Sequence, residues 1–234
     1  MVIDTWHPVT SDFGLIQAPI DDVVTALLGW HNPVGIEYEQ MEIAGPLSDA
    51  FNSLRPLCNA KQRRLFVQTE SDWTACFQNG IQGSDPFPAM SELAKRMEVL
   101  SMRVCATPPD ATWPATIWEV YAPESLGGYP PLNYRRSIAV SKDGGRWMFE
   151  QSGPPFHFEK TELYEKPHKR DRFSKDVLCE YLGHFSLQPF NDSFFILDAD
   201  HMAILLQQIK PVVSMPEFSL EEVVEGVPWK KEER

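Results

Sequence analysis

Asp198-Ala199-Asp200-His201 places two carboxylates and an imidazole within four residues, a grouping able to bind a metal ion or exchange protons. End-capping is the commoner use of such a cluster. Here it is the expected one, with Asp198 or Asp200 capping a helix and His201 exposed in its first turn. No second set of ligands accompanies it. The six histidines, His7, His31, His157, His168, His184 and His201, are dispersed without metal-ligand spacing. The chain has no phosphate-binding glycine loop followed by lysine, no dinucleotide fingerprint, no nucleophile elbow, no paired-histidine protease motif and no Cys-x-x-Cys pair. No catalytic residue, cofactor or metal site is therefore assigned.

Three further constellations carry weaker chemistry. The Asn79-Gly80-Ile81-Gln82-Gly83-Ser84-Asp85 segment joins a strand to a helix, where backbone N–H groups can hold an anion. It has no lysine, and a structural turn is the expectation. The run Lys166, His168, Lys169, Arg170 and Arg172 reads as a solvated basic loop, too short to outweigh the charge of the whole. The third is the acidic start. The first 57 residues hold eight carboxylates against the single cation Arg55, so −7 of the formal charge of −12 lies in the first quarter of the chain. Asp21, Asp22, Glu37, Glu39, Glu42 and Asp49 are the candidate binding residues within it.

These side chains need elements to position them. Phe13 to Gln17 reads as a strand. Pro19 opens a helix with Asp21 and Asp22 in its first turn and Ile20, Val23, Val24, Leu27 and Leu28 as its apolar stripe. From Ile36 to Ile43 the apolar parity switches, since Ile36 and Tyr38 share one phase and Met41 and Ile43 the other. A bulge near Gln40 would bring all four to one face and Glu37, Glu39 and Glu42 to the other. Gly45-Pro46 starts a second helix. Leu65 to Thr69 and Trp73 to Gln78 pair as returning strands, and Ser84 or Asp85 is expected to cap the next helix, which carries Met90, Leu93, Ala94 and Met97. Strands follow at Leu100 to Val104 and Thr116 to Tyr121. Ser137 to Ser141 and Arg146 to Gln151 form a hairpin around Asp143-Gly144-Gly145. Phe156 to Tyr164 reads as extended, Ser174 caps a helix, Phe194 to Leu197 reads as a strand and Ala199 to Gln208 as a helix. Ser219-Leu220-Glu221-Glu222 has the form of a capping box and predicts one helical turn.

The expected fold class is α+β, a mainly antiparallel meander with helices packed on it. It should form a single domain over 1–213, with a strand-helix-strand-helix unit as a candidate lobe over 1–57 and a polar acidic tail over 214–234. With 43% hydrophobic and 23% charged residues the composition is that of an ordinary globular protein. Its pI of about 4.9 disfavours nonspecific nucleic-acid binding, which rests on cationic neutralisation of phosphates. No apolar run reaches membrane-spanning length, and Met1-Val2-Ile3-Asp4 has no signal-peptide character. The expectation is a cytoplasmic protein whose Cys58, Cys76, Cys105 and Cys179 are reduced core thiols.

In overall profile the chain is similar to bacterial immunity proteins, which are small, often acidic and without catalytic motifs. This is an analogy of type, because no motif carries it. It implies a non-catalytic protein whose acidic surface engages a basic protein partner. The alternatives are an enzyme with an unrecognised, hydrolytic or metal-assisted site, and a structural or assembly component. The sequence does not set the oligomeric state.

Overall fold

Leu65, Phe66 and Val67 alternate sides along one strand, yet all three are fully buried. Such a strand must be covered on both faces, and it lies deep inside a large sheet. In the computed structural model, residues 1–211 and 213–229 are described. The strands are β1 (Asp12–Ile16), β2 (Tyr38–Ile43), β3 (Arg63–Thr69), β4 (Thr74–Gln78), β5 (Ser101–Ala106), β6 (Ala115–Tyr121), β7 (Tyr134–Asp143), β8 (Arg146–Ser152), β9 (Phe195–Ile196) and β10 (Ala203–Gln208). The helices are α1 (Ile20–His31), α2 (Leu47–Asn52), α3 (Phe87–Met97), α4 (Lys175–Gly183) and α5 (Leu220–Val224). The sheet runs β2-β10-β3-β4-β1-β5-β6-β7-β8, with the short β9 also on β3, and every pairing is antiparallel. The fold is α+β.

Strand parity divides the interior in two. Phe13, Leu15, Leu65, Val67, Phe77, Val104, Trp118 and Leu205 face the larger cluster, which takes in α2, α4 and α5. Ile16, Phe66, Cys76, Tyr121, Ile204 and Leu206 face the smaller one, covered by α1 and α3. Full burial of each large apolar side chain contributes about 1.5–3 kcal/mol. Gly14 lets α3 approach the sheet, because a Cβ there would collide with the Met90 side chain.

Five local expectations are corrected. β2 has no bulge: its register with β10 is continuous from Ile43↔Ala203 to Tyr38↔Gln208. Tyr38 packs on the smaller cluster and Met41 and Ile43 on the larger one, as an edge strand permits. Residues 203–208 form strand β10, not a helix. Ala-Ile-Leu-Leu is a run buried on both faces, and such a run carries no period to separate helix from strand. Phe156 to Tyr164 is not a strand but a loop leading into a 3-10 turn over Thr161–Glu165. Helix α3 has no side-chain cap, since Ser84 Oγ accepts instead from the Gln78 backbone N–H at 2.7 Å. Cys179 is exposed, whereas Cys58, Cys76 and Cys105 are buried; all four are free thiols.

The segment from 214 returns to the domain. Phe218, Leu220 and Val223 are buried, Leu57 and Phe218 form a bridge, and Ser219 and Glu222 complete the expected capping box. Residues 230–234 of that tail lie outside the described residues. β1 and β2 are separated in the sheet by β4, β3 and β10, so residues 1–57 are distributed through the domain. Among the described residues no helix is long and apolar enough to cross a membrane.

Candidate functional site

The helices α1 and α3 cover only part of their face of the sheet. Beyond them the same face carries a row of polar side chains. Arg64 on β3 stands opposite Gln78 on β4, and Arg103 on β5 stands opposite Glu119 on β6, with Asp12 of β1 lying between the two pairs. Arg103 Nε donates to both Asp12 oxygens at 3.0 and 3.1 Å, and its Nη2 donates at 2.6 Å. Arg103 Nη1 lies 3.5 Å from Glu119, which also accepts from the hydroxyls of Tyr121 and Tyr134. Burial pushes the Asp12 carboxyl up to about 6, against the pull of its bonds to Arg103. Burial also works to lower Arg103, but the adjoining Asp12 and Glu119 outweigh it and hold the guanidinium charged. The pair is ionic at neutral pH.

A cavity of about 760 Å³ opens over the other end of this row. Its floor includes Arg64, Gln78 and Asp12, and its walls are Trp30 and His31 at the end of α1, Cys58, Asn59 and Gln62, and the 79–85 loop. The loop is built as a turn, as expected: Gly83 N–H donates to the Gly80 carbonyl at 3.1 Å, and Gly83 sits at φ +97°. Asn79 anchors it by donating to the Pro56 and Lys61 carbonyls while its own oxygen accepts from Arg63 N–H. His31 Nδ1 is 2.9 Å from the Tyr38 hydroxyl. Burial, then the positive charges of Arg64 and Arg96, lower His31 to about 4, so it is neutral at physiological pH. Burial also pushes the Cys76 thiol beneath Arg64 up to about 11.

The six acidic candidates do not share a face. All are exposed, and none of them is in an ion pair among the described residues. Asp21 and Asp22 lie in the first turn of α1 and Asp49 in that of α2, on opposite sides of the sheet. Glu39 has the parity of Met41, and Glu42 that of Tyr38, so these two also point to opposite sides. Glu37 precedes the strand, its carbonyl accepting from Ile209 N–H. What the structure joins is the position of β2: it is the last strand of the sheet.

The Asp198-to-His201 cluster caps a turn ahead of β10. Asp198 Oδ1 accepts from the backbone N–H of Asp200 and of His201, both at 2.9 Å, and lies 2.8 Å from His201 Nδ1. Those bonds, the one to His201 foremost, lower the Asp198 pKa. Among the described residues no group of three His, Cys, Asp or Glu side chains is placed to hold a metal ion. The basic run lies beside the opposite edge, where Trp147 of β8, His168, Lys169 and Arg170 line a shallow hollow.

Sequence reasoning missed the cavity. Arg63 and Arg64 precede the strand expected at Leu65 to Thr69 and Gln78 ends the one expected from Trp73, and nothing local marks them as site residues. Comparison of the chain with protein-family models, with curated proteins and with solved structures found no match.

Proposed function

We propose that the protein is a non-catalytic binding protein that engages a basic protein partner along the acidic edge of its sheet. The observation that carries this reading is the edge strand itself. Among the described residues β2 pairs only with β10, so its outer backbone groups have no strand beside them. Exposed Glu39 and Glu42 border that edge on its two faces, and Glu37 stands at its start. A partner segment in extended conformation would add to β2 through main-chain hydrogen bonds, and the glutamates would select lysine- and arginine-bearing segments. The negative field would also speed association with a cationic partner.

Charges on an edge strand also have a protective use, keeping sheets from pairing indiscriminately. The two uses differ in kinetics. A partner recovered from the source cells by affinity capture should associate more slowly as salt rises, since screening shortens the field to roughly 8 Å at physiological ionic strength. Reversing Glu37, Glu39 and Glu42 to lysine should lower the on-rate and flatten its salt dependence. Unchanged kinetics in that variant would leave only the protective use.

A further inference from the structure

Two arginines of the sheet hold carboxylates, Arg103 that of Asp12 and Arg136 that of Glu159, each at 2.6 Å. Arg64 is buried as well and, among the described residues, holds none. It is only 6% exposed, and among the described residues no carboxylate lies within ion-pairing distance of it. Its Nη2 donates to Gln62 Oε1 at 2.8 Å, and the Tyr38 hydroxyl and Cys76 thiol lie near it, but among the described residues Nε and Nη1 have no acceptor within hydrogen-bond geometry. Its cross-strand partner Gln78, 7% exposed, has an Nε2 that is likewise without one among the described residues. A neutral amide oxygen, however placed, would leave the charge of the guanidinium uncompensated. A buried charge without a counter-ion is expensive, and the expense is met when an anion binds.

We propose that the cavity floored by Arg64 and Gln78 binds a small, polar carboxylate ligand, its carboxylate held by the Arg64 guanidinium and the Gln78 amide. The charges around the cavity select the ligand class. Its lining holds two cations, Arg64 and Arg103, and two carboxylates, Asp12 and Asp85. Asp12 is bound to Arg103, and Asp85 at the exposed rim makes no ion pair with Arg64, so Arg64 is the cation of the lining without a counter-ion among the described residues. A single negative charge fits that balance, whereas a phosphate dianion would bring a second one beside the carboxylates. The remaining walls carry the amide NH2 groups of Asn59 and Gln62, which suit hydroxyl or carbonyl groups on the body of the ligand. The volume lies within the range of small-molecule sites.

The test uses the full chain with sodium acetate, lactate, gluconate and inorganic phosphate at matched ionic strength, read by thermal unfolding and titration calorimetry. Lactate or gluconate should raise the unfolding midpoint saturably. Arg64→Met should abolish that rise. Without ligand, Arg64→Met should unfold at the wild-type midpoint or above it, because the unpaired charge is gone. Gln78→Met should weaken binding about tenfold, the loss of one hydrogen bond to a charged group. No saturable shift with any of the three carboxylates, or the same shift in Arg64→Met, overturns the proposal. Tighter binding of phosphate than of every carboxylate overturns the assigned ligand class. Should Arg64→Met fail to fold, the Gln78→Met titration decides, and unchanged affinity there overturns the site.

Discussion

Arg136 and Glu159 form an ion pair in which both side chains are sealed from solvent, at 1% and 0% exposure. The arginine is fully satisfied. Nε and Nη2 donate to Glu159, Nη1 to the carbonyls of Ser152 and Gly153, and Nη2 also to Gln151. Glu159 further accepts from Phe156 N–H and the Tyr164 hydroxyl. The pair thereby fastens the 156–165 segment to the end of β7. Glu159→Leu should cost roughly 3–5 kcal/mol in denaturant unfolding, because it leaves a buried guanidinium unpaired. Replacing both partners by apolar residues should recover most of that loss. A single substitution costing under about 1 kcal/mol would show that the segment is held by other contacts.

His31 sets a pH dependence. Its imidazole is held near 4 in the folded protein against 6.5 when unfolded, so the unfolded chain binds the proton more readily. Stability should therefore fall as pH drops from 6.5 to 4, by on the order of 3 kcal/mol from this group. Asp12 works in the opposite sense over an overlapping window, because its folded carboxyl binds protons more readily than the unfolded one. The contribution of His31 is isolated by comparing wild type with His31→Gln in urea at pH 7 and 4.5. The variant should lose less stability on acidification; parallel losses would contradict the assignment.

Thiol chemistry should separate the cysteines. Cys179 is exposed and the other three are buried, so a thiol reagent should label one site in the native protein and all four after denaturation without reductant. Burial also holds the Cys76 and Cys105 thiols above their ordinary range, which suppresses thiolate at neutral pH. Fewer than four sites in the denatured, unreduced chain would reveal a disulfide.

The C-terminal helix should contribute to the stability of the whole domain. Leu220 is 7% exposed and Ser219 caps the helix by accepting from Glu222 N–H at 3.1 Å. Ser219→Ala should cost about 1 kcal/mol and Leu220→Ala about 2–4 kcal/mol. Both should shift the single unfolding transition of the chain. Loss of helix signal without any shift in that transition would mean that the segment docks independently.

Much of this architecture was legible in the sequence because local chemistry decided it. Pro19 and the Asp21-Asp22 pair start α1, Asp143-Gly144-Gly145 turns the β7–β8 hairpin, and Ser219 with Glu222 makes a capping box. The misreadings fall where neighbours decide. Ile204 and Leu205 become strand residues because β2 and β3 flank them, a fact no window of the sequence contains. The parity switch in β2 suggests a bulge, but an edge strand can lean Tyr38 on one face and Met41 and Ile43 on the other. Closeness in sequence suggests one acidic surface, but the sheet separates Asp21 from Asp49. Arg64 was invisible as a site residue because its meaning lies in what it lacks, and absent partners are seen only in three dimensions.

The late strand β10 lies between two early ones, with Ala203 against Ile43 and Ile204 against Phe66. On the ribosome, β2 has no neighbour to join and β3 has one bare edge until residues 203–208 have been made. Pairing at such long range is slow to form, and the waiting strands are open to the wrong partners. The order of synthesis thus runs against the order of the sheet, and the last strand added is the one that secures the first edge.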